Sequence, residues 1–334
     1  MFPTSAHFTT GEFLSIELEN DTLILRGNPE DSVGCVLRGS IVLTIFDEIK
    51  LRSLRGKLIG RARLCGNDNV SWREYVFVER RFQLLSAEGG PYHLKPNQYR
   101  YNFEIALEGN LPESVTLPNG KIGYKIYAVA ERTGLHFDSR DKRTIKLRRS
   151  SDYTYSSVPV ESSGNWDERL HYNIEIPQPS VIIGQPFPVS LNLTRTANDF
   201  DLVKIEFCLL ETICCRTPGS TIDLQTKVHP MSEIKHDTIV EDNKQWRICP
   251  QLVLPPNVRW SLNTDYIQIT HEIQVLFHII DKHNEEKRVL ESKFPIAIRS
   301  SIDQDASPPE YGSVTPATTN LESPPEYTST SIQA

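Results

Sequence analysis

The stretch Ile267-Gln268-Ile269-Thr270-His271-Glu272-Ile273-Gln274-Val275-Leu276-Phe277-His278-Ile279 decides how the chain is read. Ile267, Ile269, Ile273, Val275, Phe277 and Ile279 fall on alternate positions, and His271 shares their side. Side chains of a β-strand point to opposite faces in turn, so a period of two sustained this long predicts a strand with one buried face. His271 and His278 are seven residues apart. That spacing puts them on opposite faces of one strand and excludes a shared metal. His271 is read as a core histidine whose ring finds partners inside.

The same alternation runs outward in both directions. Before it lie Phe13 to Leu18, then Ile41, Leu43 and Ile45, then Tyr99, Tyr101, Phe103, Ile105 and Leu107, and then Ile122, Tyr124, Ile126, Ala128 and Ala130. Leu170, Tyr172, Ile174 and Ile176 follow, then Val189, Leu191 and Leu193, then Val203, Ile205, Phe207 and Leu209, and last Phe294, Ile296 and Ile298. Gly89-Gly90-Pro91, Asn119-Gly120 and Pro255-Pro256 mark turns between them. Short strands with one wet and one buried face predict an all-β chain of two tandem antiparallel sandwiches of immunoglobulin-like type. The pattern lapses from Arg148-Arg149-Ser150-Ser151-Asp152 to Ser162-Ser163-Gly164-Asn165. The expected plan is therefore a first domain over 1–150, a linker over 151–168, a second domain over 169–299 and a disordered tail over 300–334.

Composition narrows the function. At 334 residues the chain has room for two ordinary domains and a tail. No apolar run is long enough to span a bilayer, and Met1-Phe2-Pro3-Thr4-Ser5-Ala6 opens no secretory signal, so a cytoplasmic protein is expected. The six cysteines contain no Cys-x-x-Cys pair. In a reducing compartment they are read as small buried hydrophobes, and the sequons at Asn69 and Asn192 carry no meaning. Lys and Arg number 22 against 20 acidic residues over 1–165, 14 against 18 over 166–299, and none against 5 over 300–334. Such a faintly acidic chain is a poor nucleic-acid binder. One basic run, Lys50, Arg52, Arg55, Lys57, Arg61 and Arg63, suits a solvated strand face, an acidic lipid surface or an acidic peptide. No phosphate loop, Gly-x-Ser-x-Gly, His-Glu-x-x-His or zinc-type Cys/His spacing occurs, so no enzyme, cofactor or metal is expected.

The tail carries the most specific signal. Ser307-Pro308-Pro309-Glu310-Tyr311 returns as Ser323-Pro324-Pro325-Glu326-Tyr327. Adjacent prolines hold the backbone near polyproline II, so an aromatic groove can bind it at little ordering cost. With 22 Pro and 12 Tyr in the chain, one Pro-Pro-x-Tyr arises by chance about 0.05 times. A duplicated five-residue phrase is therefore read as a ligand. It resembles the short motif read by WW domains, with Pro308, Pro309 and Tyr311, and Pro324, Pro325 and Tyr327, as contact residues. The copies start 16 residues apart, about 20–24 Å root-mean-square in a flexible chain, which suits two WW modules on one partner. Ser307 and Ser323 precede proline, as proline-directed kinases require, and Ser151 follows a basic pair that other kinases read. The tail has no lysine, so an enzyme that modifies lysines and is held there must act on the body or on another chain. Lys282, Lys287 and Lys293 are the acceptors nearest in sequence.

Taken in order, these strings resemble the α-arrestins, the arrestin-related trafficking adaptors of fungi. The first half is similar to their first domain through Val33-Gly34-Cys35-Val36-Leu37-Arg38-Gly39 and Tyr101-Asn102-Phe103-Glu104-Ile105-Ala106-Leu107. The second is similar to their C-terminal domain through Pro186-Phe187-Pro188-Val189-Ser190-Leu191 and Phe294-Pro295-Ile296-Ala297-Ile298. The resemblance implies an adaptor. Its sandwiches would recognise a plasma-membrane transporter or receptor, and its tail would recruit a HECT-type ubiquitin ligase through WW domains, for endocytosis or sorting. It further implies a cytoplasmic chain recruited to plasma membrane and endosomes by peripheral association. Two alternatives stand beside it: a sorting or signalling scaffold whose tail meets WW proteins other than ligases, and a secreted two-domain protein, which the absent signal disfavours.

Overall fold

The computed structural model describes residues 12–65, 71–134, 137–150, 158–217, 220–235 and 244–299. Its first domain is built from β1 (Glu12–Leu18), β2 (Thr22–Arg26), β3 (Cys35–Ile45), β4 (Ile49–Cys65) and β5 (Trp72–Leu85). It continues with β6 (Tyr92–Leu94), β7 (Asn97–Leu107), β8 (Val115–Thr116), β9 (Gly120–Arg132) and β10 (Ser139–Ser150). One sheet runs β1-β3-β7; the other runs β2-β10-β9-β4-β5, with β6 on β4 and β8 on β9. The alternating residues of β3, β4, β9 and β10 close a dry interior between them. Leu37, Ile41, Leu58, Ile126 and Leu147 are all fully buried there. Gly34 makes the approach to β3 possible. Its φ is +86°, and a Cβ there would lie 2.1 Å from the Leu107 carbonyl oxygen.

The second domain repeats this plan. Its strands are β11 (Val160–Trp166), β12 (Leu170–Ile176), β13 (Ser180–Ile182), β14 (Pro186–Pro188), β15 (Ser190–Arg195) and β16 (Phe200–Thr217). There follow β17 (Ser220–Lys235), β18 (Gln245–Ile248), β19 (Gln251–Val253), β20 (Leu262–Asn263), β21 (Ile267–Asp281) and β22 (Lys287–Arg299). The order β12-β15-β18 reproduces β1-β3-β7, and β13-β22-β21-β16-β17 reproduces β2-β10-β9-β4-β5. Even the parallel pair recurs, β13 on β22 as β2 on β10. The chain is thus all-β, as its alternation predicts, and the second half repeats the first as architecture.

Three expectations are corrected. The polar span read as a linker contains β11, which pairs antiparallel with β12. It reads as a linker because it is the edge of its sheet and buries only Trp166, whose ring meets Phe200 edge-on at 5.2 Å. Val203 is 40% exposed although it continues an apolar alternation. A register shift between Leu202 and Lys204 makes it the extra residue of a bulge. Of the cysteines, Cys65 and Cys215 are buried but Cys249 is exposed, and none of the six forms a disulfide.

The two domains share a core where they meet. Cys215, Leu262, Ile267 and Ile269 of the second domain belong to the apolar cluster of the first. Tyr266 sits against Tyr75 and Phe77, with ring centroids 5.9 and 5.6 Å apart. Gly120 leaves the space they fill, since a Cβ there would meet Ile267 at 3.0 Å and the Cys215 sulfur at 3.2 Å.

Candidate functional site

Pro308, Pro309, Tyr311, Pro324, Pro325, Tyr327, Ser307, Ser323 and Ser151 lie outside the described residues. What the structure describes is the end of β22 at Arg299, the residue that precedes 300–334. β22 brings the chain there, held on one side by the parallel strand β13, and the Arg299 carbonyl accepts from the Ile183 N–H at 3.2 Å. On the other side Ser261 clamps the strand end. Its N–H donates to the Ile298 carbonyl at 2.8 Å, and its hydroxyl oxygen accepts from the Ile298 N–H at 2.9 Å. With that lone pair taken, the Ser261 hydroxyl is free to donate to His271 Nδ1, 2.9 Å away. This leaves the His271 proton on Nε2, aimed at Glu211 Oε2 at 3.6 Å.

Glu211 is the centre of this cluster. Its carboxylate accepts from the Arg259 backbone N–H at 2.9 Å and from Arg259 Nη1 at 2.6 Å. Burial alone would push the Glu211 carboxyl up. The His271 ring 3.6 Å away, the Arg259 backbone N–H and the Arg259 charge together outweigh burial and hold it at about 2. His229, on the adjacent strand β17, is pushed below the usual histidine range by burial and by the Lys227 charge. One residue on from Arg259, Trp260 carries the Arg148 guanidinium of β10 at 4.1 Å from its ring centre. The end of β22 is therefore tied through one loop to both domains.

The basic pair before Ser151 is committed to the fold. Arg148 stacks on Trp260, and Arg149 donates to the carbonyls of Gly27, Gly109 and Leu111 at 2.8, 2.5 and 3.1 Å. A kinase reading that pair would have to undo the end of β10. The lysines nearest residues 300–334 in sequence are not all near the end of β22 in space. Lys287 opens β22 and Arg299 ends it, so a rise of about 3.3 Å per residue sets them about 40 Å apart. Lys293 pairs with Glu291 at 2.5 Å, midway along the strand, and Lys282 pairs with Asp201 at 2.9 Å beyond its start.

The basic run on β4 stays on the wet side: Lys50, Arg52, Arg55 and Arg63 are exposed, and Lys57 and Arg61 half-buried. Arg55, Lys57, Arg61 and Arg63 point outward, opposite Val129, Tyr127, Gly123 and Lys121 of β9. Sequence reasoning missed Arg169, which holds Asp199 at 2.9 Å and Asp281 at 2.7 Å and covers the Trp166 ring at 4.4 Å. Its signal is faint, since one arginine beside a tryptophan in a turn looks like surface.

Two tandem sandwiches of one topology, joined through a common core, define a two-domain all-β class of protein. Residues 166–302 match the family described as Arrestin (or S-antigen), C-terminal domain. An arrestin domain-containing protein of Schizosaccharomyces pombe is 23% identical over 279 residues, 78% of this chain and 47% of its own. The HECT-type ubiquitin ligase-interacting protein creD of Emericella nidulans is 28% identical over 214 residues, 60% of this chain and 36% of its own. A protein of Aspergillus oryzae described as probable creD is 23% identical over 316 residues, covering 86% and 52% respectively. The chain spans about half or less of the length of these relatives.

Proposed function

We propose that this protein is an adaptor that brings a HECT-type, WW-domain ubiquitin ligase to a membrane transporter or receptor. The observation that carries the reading is the duplicated Ser-Pro-Pro-Glu-Tyr phrase following two arrestin-like sandwiches. Relatives described as HECT-type ubiquitin ligase-interacting proteins support it. Pro308, Pro309 and Tyr311, with Pro324, Pro325 and Tyr327, dock the ligase, and avidity between the two copies adds about 10²–10⁴ over one contact. The body selects cargo at plasma membrane and endosomes, and the fixed end of β22 keeps the ligase beside it. Replacing Tyr311 and Tyr327 together with Ala abolishes coprecipitation of the ligase and cargo ubiquitylation, while either single change leaves weakened binding. Retention of the ligase by the double variant would overturn the reading. If WW proteins other than ligases are the ones lost, the tail serves a sorting or signalling scaffold.

A further inference from the structure

We propose that two copies of this chain join edge to edge through β17, antiparallel about Thr226, so that the larger sheets of their second domains become one continuous sheet. β17 ends its sheet: it pairs with β16 on one side, and among the described residues no strand pairs with it on the other. A proline shows which of its backbone groups are open. Pro230 stands directly opposite Cys208. Antiparallel partners alternate between pairs that exchange two N–H···O bonds and pairs that exchange none, and a residue without an N–H cannot belong to the first kind. Pro230 therefore turns its backbone away from β16. The register is unbroken from Cys208 opposite Pro230 to Cys214 opposite Leu224. Val228, Thr226 and Leu224, in step with Pro230, thus turn their N–H and C=O groups to the open side. Their side chains lie on the face away from the core, and Leu224 and Val228 are 63% and 56% exposed.

Folds usually guard such an edge with charges, prolines or bulges. β5, the equivalent strand of the first domain, carries Arg73, Glu74, Glu79, Arg80 and Arg81. β17 has a register shift at each end of the open run, and from Leu224 to Pro230 its only lysine, arginine or carboxylate is Lys227. The unguarded run is complementary to itself, as a twofold contact requires. About Thr226, Leu224 meets Val228 of the second copy, Val228 meets its Leu224, and the two Thr226 residues meet each other. Each pair brings open backbone groups together and exchanges two hydrogen bonds, while apolar and threonine cross-strand pairs add side-chain contact. On the other face Lys227 meets Gln225, so no like charges are opposed. Neighbouring axes fit worse. An axis at Lys227 sets lysine on lysine, and one at Val228 sets Thr226 against Pro230, which cannot donate. An axis at Gln225 leaves Val228 facing Ile222, the extra residue of the shift beside Cys215.

The dimer goes beyond the adaptor reading and stands on β17 alone. Under that reading it offers a ligase four Pro-Pro-x-Tyr phrases, two from each copy. Sedimentation equilibrium of the full chain over about a hundredfold range of concentration should show the mass rising from one chain toward two. Thr226→Pro removes an N–H that β16 does not use, and Thr226→Lys sets like charges on the axis. Both variants should keep the wild-type circular dichroism and the mass of a single chain throughout. Thr226 is the position that meets itself, with Cα atoms about 5.5 Å apart, within reach of a disulfide. Mild oxidation of Thr226→Cys should therefore give a reducible dimer, which wild type with its six cysteines does not form. The Y311A/Y327A chain should dimerise as wild type does, so that failure of ligase recruitment and failure of this contact are separable. A full chain of one mass at every concentration, as when a foreign peptide or residues 300–334 occupy the edge, would overturn the proposal. So would undiminished dimers of T226P and T226K, or a T226C chain that does not cross-link.

Discussion

Glu211 holds a charge with no exposed side-chain surface, and everything around it is arranged to keep that charge. Arg259 approaches with both backbone and guanidinium, and His271 presents Nε2 from the next strand. Because the folded carboxyl sits near 2 against an ordinary 4.5, its contribution, about 3 kcal/mol, is fully present above about pH 4.5 and is lost as the pH falls toward 2. Thermal melts of wild type and Glu211→Gln between pH 6 and 3 should show the wild type losing stability faster on acidification. Parallel curves would mean that Glu211 does not titrate with folding. Gly34 makes a second test, because alanine there meets both a positive φ and the Leu107 carbonyl. Gly34→Ala should destabilise by at least about 1 kcal/mol, read as a lower denaturant midpoint. The period of two puts His271 inside from sequence alone. Its partner Ser261, and the Arg259 that binds Glu211, come from a loop with no period, so the cluster was not legible.

Strands were the most legible elements, since a half-buried strand writes its pleat into the sequence. Where the pleat breaks, or where both faces are wet, the reading failed. β11 is polar because it is an edge, and Val203 faces out because a bulge resets the alternation after Leu202. Pairing across the sheet was not legible either: nothing local tells Ser180 to Ile182 that they run parallel to Ala297 to Arg299. Strand geometry also changes which lysines a tail-bound ligase would reach. If the adaptor reading holds, Lys293 lies about 20 Å from the end of β22 and Lys287 about 40 Å. Replacing Lys282, Lys287 and Lys293 together with Arg should remove most self-ubiquitylation. Of the separate changes, K293R should reduce the ladder more than K282R/K287R, and the reverse order on a gel would show that distance along β22 does not govern acceptor choice.

At the scale of the whole molecule, two sandwiches of one topology could behave as independent bodies, and the junction argues that they do not. Ile267, Ile269 and Cys215 complete the first domain's apolar core from the second domain's strands. Tyr266 adds two ring contacts, worth about 0.5–1.5 kcal/mol each beyond area, and the Arg148 stack on Trp260 adds about 1–2 kcal/mol. Coupling of this size makes the unfolding of either domain expose apolar surface on the other, so heating the intact chain should give one calorimetric transition. Tyr266 and Arg148 contribute to the junction without filling the second domain's own interior. Removing both with R148A/Y266A should therefore split that transition into two, each domain melting at its own temperature. A single sharp transition at the wild-type temperature would show that the rings and the stack do not couple the domains, and would leave the buried isoleucines alone to join them.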